Sequence, residues 1–398
     1  MLALLVNAEV FAPEPRGLGA VLIAGERVVW MGGEPLDRDA LRALGALGAE
    51  MVDLAGARLI PGLIDGHVHV TGGGGEAGPA SSVPPVPLSH FTRGGTTTVV
   101  GLLGTDDVTR SPAALVARTR ALAAEGLSAY CLVGGYHVPP ATLTGSVRGD
   151  IVFIEPVIGV GEIAVSDHRS SQPTREEILR LAGEAHTAGM LAGKAGILHL
   201  HVGNVPRGLE LVRAALDESE IPPGVFQPTH VNRRRALFEE AMALAARGVT
   251  IDVTASPVAP GNEALPAADA VAEYFARDLP RDRITVSTDA GGSLPVFDGE
   301  GRLVHMGVGR PEALAETLAA LLARGMPLEL ALLPFTANPA HCLRLERKGR
   351  IQAGADADLV VLDAGNRVRD VMARGRWHVR NGEILLRGAL EEGSSRPV

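Results

Sequence analysis

The sequence predicts an α/β protein, a (β/α)8 TIM-like barrel with a small β-sandwich domain built from both chain ends. Three observations carry this. Between residues 59 and 345, eight apolar runs alternate with helical patterns. Runs apolar on both faces belong in a parallel sheet covered by helices. Residues 1–58 and 346–398 instead carry short alternating strands separated by turn signals. Finally, the polar residues of the middle segment gather at the C-terminal ends of its runs, where such barrels place function.

In chain order, the N-terminal strands are expected at Ala3–Val6, Ala20–Ala24, Arg27–Met31 and Met51–Leu54. MLALLVNAEVF has neither a basic leader nor a cleavage site, so it reads as a strand. The barrel strands follow at Leu59–Asp65, Thr96–Leu103, Ser128–Gly134, Pro156–Val165, Ile197–His201, Val225–His230, Val249–Thr254 and Arg283–Asp289. Helical patterns separate them at Ser111–Glu125, Thr174–Gly189, Arg207–Asp217, Arg235–Arg247 and Leu265–Ala276, and Arg310–Arg324 closes the series. The C-terminal strands are Leu359–Leu362, Val368–Ala373, Arg376–Arg380 and Glu383–Arg387. Asn381-Gly382 is a hairpin signal between the last two. The two ends are expected to form one antiparallel β domain.

Composition narrows the function. The 398 residues hold 37 Lys+Arg and 46 Asp+Glu, a formal charge of −9, with no basic run; this argues against a nucleic-acid partner. No apolar stretch reaches the roughly 18 residues of a membrane span. Aromatic residues are only 3%, so the core must rest on aliphatic side chains. Cys131 and Cys342 supply neither a disulfide framework nor a CxxC motif and read as buried thiols. A cytoplasmic enzyme is expected.

The first barrel strand ends in Asp65-Gly66-His67-Val68-His69. Period two turns His67 and His69 to one side, the barrel centre. Alone, a His-x-His pair is also compatible with two hydrogen-bonded strand residues. The other strand ends sharpen it: Glu162 lies on the fourth strand, His201 ends the fifth, His230 the sixth and Asp289 the eighth. These are metal-ligand types in one ring, suited to a pair of cations about 3.5–4 Å apart sharing a hydroxide.

Several segments carry a resemblance: PGLIDGHVHVTGGGGEAGP at 61–79, VVGLLGTDD at 99–107, GGYHVP at 134–139, TGSV at 144–147, SDHRS at 166–170, PTHVNRR at 228–234, STDAGGSLPVFDGEG at 287–301 and KGRIQAGADADLVVLD at 348–363. The chain resembles the amidohydrolase superfamily and, within it, the isoaspartyl (β-aspartyl) dipeptidases. The resemblance implies hydrolysis of β-aspartyl dipeptides to aspartate and an amino acid, by a hydroxide bridging two Zn2+ per subunit. The ligand types also admit Mn, Co or Ni. It implies His67 and His69 on the more buried metal, His201 and His230 on the second, and Asp289 as metal ligand and proton shuttle. A homo-oligomer, an octamer among the forms, is implied as well.

The bridging position departs from the pattern. Where many relatives carry a carboxylated lysine, this chain has Glu162. Its side chain is shorter by several Å. Gly161 and the extra residue in GVGEIAV predict a bulge that advances Glu162 to bridge both metals. The nearby Lys194 is expected to be structural or at the surface.

For the substrate, the resemblance assigns Glu76 to the α-amino group; Gly74, Thr105 and Ser293 to the aspartyl end; Arg169 and Arg233 to the leaving residue's carboxylate; and Tyr136 to the scissile carbonyl. Arginine forks suit carboxylates, and a phenol can donate to an oxyanion. Each has a plainer alternative: Glu76 as a helix cap, Gly72–Gly75 as a loop, the arginines as solvated ion pairs. His168 either orients Arg169 or packs. His90, His137, His186, His199, His305, His341 and His378 read as ordinary core or surface histidines, and Arg234 and Arg235 as a helix face. Other readings keep the barrel and change the role: a cyclic amide hydrolase of the dihydroorotase or hydantoinase type, an N-acyl amino acid deacylase, or a non-catalytic oligomeric scaffold.

Overall fold

Where the apolar positions of the N-terminal segment recur along an extended chain, they build β1 (Leu2–Phe11), β2 (Pro15–Ala24) and β3 (Arg27–Gly33), followed by β4 (Glu50–Asp53) and β5 (Arg58–Pro61). A computed structural model describes residues 1–33, 36–258, 263–297 and 302–394. The tail of the matched segment at 287–301, residues 298–301, and the last four residues of the C-terminal domain lie outside the described residues. β1 pairs antiparallel with β2 but parallel with β4 and β5, so the terminal sheet is mixed rather than antiparallel. Leu5, Val10, Val21, Ile23, Leu59, Leu359, Val361 and Met372 pack its buried core.

The barrel strands are β6 (Leu63–Val68), β7 (Thr96–Gly101), β8 (Ser128–Val133), β9 (Val157–Val165), β10 (Ile197–Val202), β11 (Phe226–Thr229), β12 (Ile251–Thr254) and β13 (Ile284–Ser287). β6 to β11 form one parallel sheet in sequence order, and β12 pairs with β13. Side chain and main chain join the two: Asn232 Nδ2 donates to Thr254 O at 3.1 Å, and Thr254 N donates to Asn232 Oδ1 at 2.9 Å. Between β13 and β6 the closure is main-chain, with His69 N donating to Ala290 O at 2.8 Å and Asp289 N to His67 O at 3.2 Å. Helices cover the outside. Thr174 and Glu177 form a capping box that starts the longest one, Arg175–Ala192.

A hairpin of β14 (Ser293–Phe297) and β15 (Leu303–Val308) follows the barrel strands. The chain then returns to the terminal sheet as β16 (Leu359–Leu362), β17 (Val368–Ala373), β18 (Arg376–Arg380) and β19 (Glu383–Ile384). β16 pairs with β5, which knits the two chain ends into one sheet. This is the barrel-plus-sandwich architecture expected.

Three details differ. The run Leu59–Asp65 is two strands: β5 ends in the terminal sheet and β6 begins in the barrel, with Gly62 between. A Cβ on Gly62 would lie 2.2 Å from Thr97 Oγ1. The helix Arg38–Ala46, which has no fully buried residue, lies outside the expected elements. The hairpin β14–β15 and the short helices Leu88–Arg93 and Val147–Phe153 also lay outside the expected elements. Among the described residues, no helix is long and apolar enough to cross a membrane.

Candidate metal centre and substrate pocket

Alternation along β6 aims Asp65, His67 and His69 to one side. Asp65 accepts from Thr288 N at 3.1 Å and from His67 N at 3.3 Å, which anchors the end of β13 against the His-x-His strand. Burial pushes this carboxyl up to about 7, despite those donors. Beyond β13 the chain turns through a left-handed Asp289 (φ 54°), and beyond β11 through a left-handed His230 (φ 64°). Non-glycine residues rarely adopt this conformation, and strain of this kind concentrates at functional sites.

Glu162 enters from β9 at a register irregularity. Val160 pairs with Leu198 and Ile163 with Leu200, so two residues of β9 oppose one of β10. Gly161 occupies the extra place at φ 149°, where a Cβ would lie 2.6 Å from His199 O. Only glycine fits there.

The result is a tight polar cluster. His67 Nε2 lies 3.6 Å from Glu162 Oε2 and 3.4 Å from Asp289 Oδ1. His69 Nε2 lies 3.5 Å from Glu162 Oε1 and 3.1 Å from Asp289 Oδ1. His230 Nε2 and His201 Nδ1 approach Glu162 Oε2 at 3.5 and 3.1 Å. All these side chains are buried. Glu162 thus faces histidines from β6, β10 and β11 with both oxygens.

The electrostatics favour cations. Burial alone would raise Glu162 and Asp289, but for Glu162 the neighbouring His67 and His201, and for Asp289 the neighbouring His67 and His69, hold them far below the usual carboxylate range. Burial would lower His67, yet Glu162 and Asp289 drive it up to about 9. The carboxylates therefore demand positive charge. Meanwhile His67 Nε2 and Asp289 Oδ1 are buried without a hydrogen-bond partner. Such orphans cost free energy unless something coordinates them. His67–His69–Asp289 and His67–Glu162–His230 each offer three ligand atoms within 4.8 Å of one another, a donor set of nitrogen and carboxylate oxygen suited to divalent metal.

Supporting contacts orient these ligands. His67 Nδ1 and His199 Nε2 are 2.8 Å apart, and His199 Nδ1 lies 3.0 Å from Gln227 Oε1. Burial first, then His67, pushes His199 down to about 3, so it is neutral. His199 Nδ1–H then donates to Gln227, and its Nε2 accepts from His67 Nδ1–H, which leaves His67 Nε2 as the atom turned toward the cluster. His199 is the core histidine expected, and its core contact is with His67, a candidate metal ligand. Its place two residues before His201 on an inward-facing strand was the signal. His230 Nδ1 is held by Thr254 Oγ1 at 2.6 Å.

A cavity opens beside the cluster, lined by His69, Glu162, His201 and Asp289 together with Gly74, Glu76, Thr105, Tyr136, Arg169, Arg233 and Ser293. His67 and His230 join through Glu162, so the residues expected to bind metal or substrate fall in one place. Glu76 Oε1 accepts from Ser293 Oγ at 2.7 Å, Arg169 Nη1 at 3.2 Å and Thr105 Oγ1 at 3.4 Å. Its Oε2 is buried with no partner. Glu76 caps no helix. The glycine loop before it is pinned by Arg110, which donates to Gly73 O at 3.0 Å and Val83 O at 3.1 Å. The sequence reading passed over Arg110, as it did Asp167. Tyr136 OH sits 2.8 Å from His201 Nδ1, and burial holds its proton well beyond the usual phenol range. Lys194 donates to Ile151 O and Ile154 O, a structural role away from the cluster.

Comparison with known proteins places the chain in a family. The model of the Amidohydrolase family matches residues 58–378. Imidazolonepropionase of Anaeromyxobacter sp. (strain K) is 27% identical, over 89% of this chain and 87% of its own. The chain belongs to the amidohydrolase family and is a metal-dependent hydrolase. Within that family it is similar to the β-aspartyl dipeptidase of Fervidobacterium islandicum AW-1, solved with β-Asp-Leu. That structure is 42% identical with a TM-score of 0.90, covering 96% of this chain and 97% of the other. A second structure of β-aspartyl dipeptidase from the same organism gives 40% and 0.85, covering 96% and 98%.

Proposed function

We propose that this protein hydrolyses β-aspartyl dipeptides to aspartate and an amino acid, with two zinc ions held by His67, His69, Glu162, His201, His230 and Asp289. The observation that carries the substrate class is Glu76, a buried carboxylate with one oxygen fixed by three donors and the other without a partner in the cavity. A free ammonium group satisfies such an oxygen. A cyclic amide has none to offer.

The metals, when bound, supply an acidified water and a polarised carbonyl. The chain's own residues do the rest. Glu76 holds the α-ammonium, and Gly74, Thr105 and Ser293 shape the aspartyl end. Arg169 and Arg233 receive the leaving residue's carboxylate. Tyr136, protonated at any physiological pH, donates to the carbonyl oxygen as charge develops there. Asp289, ionised in the resting site, takes a proton from the attacking water and delivers it to the leaving amine. The reading includes a cytoplasmic, homo-oligomeric enzyme acting on a small dipeptide, with neither nucleic acid nor membrane as partner.

The test is a substrate comparison on metal-reconstituted enzyme with β-Asp-Leu, dihydroorotate and N-acetyl-aspartate. Release of leucine from β-Asp-Leu, with the other two turned over at least 100-fold less efficiently, is expected. Preferred ring opening of dihydroorotate would assign the site to cyclic amides.

A further inference from the structure

We propose that Asp167 is a positioning residue that ties the His201 side of the metal centre to the arginine that meets substrate. The substrate half of this inference rests on the dipeptidase reading above; the metal half does not.

Asp167 is buried, and its backbone is fixed on both sides. Ser166 Oγ donates to Gly208 O at 2.6 Å, and Gln172 Nε2 donates to Asp167 O at 2.9 Å. Its carboxylate receives four donors. Oδ1 accepts from Arg169 N at 2.8 Å and Arg169 Nε at 3.0 Å. Oδ2 accepts from Arg169 Nη2 at 2.9 Å and lies 3.0 Å from His201 Nε2. A carboxylate has about four lone-pair sites, so all are engaged.

Two consequences follow. Asp167 Oδ2 engages His201 Nε2 and so holds the ring with Nδ1 turned inward, 3.1 Å from Glu162 Oε2 and 2.8 Å from Tyr136 OH. On the other side, the bidentate pair fixes the plane of Arg169 beside Tyr136, with the guanidinium carbon 5.3 Å from the ring centre. The same plane meets Glu76 through Nη1. One side chain therefore sets the metal-facing nitrogen of His201 and the aim of Arg169 together. Asparagine cannot replace it, because its amide NH2 must face either the Arg169 donors or the His201 donor.

The experiment compares Asp167→Asn with wild type and with Arg169→Lys. Zn2+ binding is titrated against a chromophoric chelator, and KM is measured for β-Asp-Leu and for its leucine amide, which lacks the terminal carboxylate. Asp167→Asn should weaken at least one equivalent of Zn2+ by about 10–100-fold and erase most of the preference for β-Asp-Leu over the amide. Arg169→Lys should erase the preference and leave Zn2+ affinity unchanged. Wild-type Zn2+ affinity together with wild-type preference in Asp167→Asn overturns the proposal. If circular dichroism shows that this variant does not fold, Asp167→Ser carries the same comparison. If wild type cleaves no β-Asp-Leu, the dipeptidase reading falls, and the Zn2+ titration still decides the role of Asp167.

Discussion

Replacing Glu76 by glutamine tests how the pocket chooses its substrate. The side chain is only 8% exposed, so its charge acts in a poorly screened setting. Glutamine preserves shape and keeps an acceptor for Ser293 and Thr105, but it removes the anion that faces both the substrate ammonium and Arg169. Truncating one partner of a buried, hydrogen-bonded charge pair costs about 2–5 kcal/mol. At 1.4 kcal/mol per factor of ten, kcat/KM for β-Asp-Leu should fall by about 30- to 4,000-fold. General damage to the site would lower activity too, so the assay uses a second substrate. Succinyl-leucine is β-Asp-Leu without its amino group. Wild type should strongly prefer β-Asp-Leu, whereas Glu76→Gln should handle the two within about threefold of each other. If the variant kept the wild-type preference, Glu76 would not be the ammonium site.

Three further outcomes are expected. Asp289→Asn should lower kcat by about 10²–10⁴-fold, the range for a positioned acid–base group, while metal content by elemental analysis stays near that of wild type; an unchanged kcat would remove its proton-shuttle role. In the metal-free protein His67 carries a proton with a pKa of about 9. Metal must displace that proton, so apparent Zn2+ affinity should rise about tenfold per pH unit between pH 6 and 8 and level off above 9. A flat profile would show that no proton leaves. Gly161→Ala places a methyl group 2.6 Å from His199 O at a left-handed backbone position. A cost of about 1–3 kcal/mol is expected in denaturant unfolding, with weaker Zn2+ binding as Glu162 shifts; wild-type values for both would mean that the bulge does not position Glu162.

Much of this architecture is legible in the chain because its signals are local. Period two along Asp65–His69 turns two imidazoles inward, and apolar runs with intervening helical patterns specify a parallel barrel. Gly161 next to Glu162 announces a bulge, since a short carboxylate needs the backbone brought closer. What stays hidden depends on contacts between distant segments. Gly62 separates two sheets because β16 arrives from residue 359 to pair with β5. The helix Arg38–Ala46 spans only nine residues and buries none of them fully, so the short apolar face around Leu41 and Leu44 gives little signal. The roles of Asp167 and His199 arise from partners on β10, β11 and β6 that only the closed barrel brings near.

The net charge of −9 gains meaning from the same geometry. If the proposed function holds, an acidic protein captures an acidic dipeptide without long-range benefit, and the attraction would be local, from Arg169, Arg233 and cations held by the carboxylate–histidine cluster, acting within a Debye length of about 8 Å.

On the proposed function, this cavity recognises the β-linkage, with a free α-ammonium at Glu76 and the amide presented to the metal centre. The most direct measurement is kcat/KM for β-Asp-Leu against α-Asp-Leu on the Zn2+-reconstituted enzyme. A preference of at least 100-fold for β-Asp-Leu is expected. Equal cleavage of the two, or cleavage of neither, would contradict it.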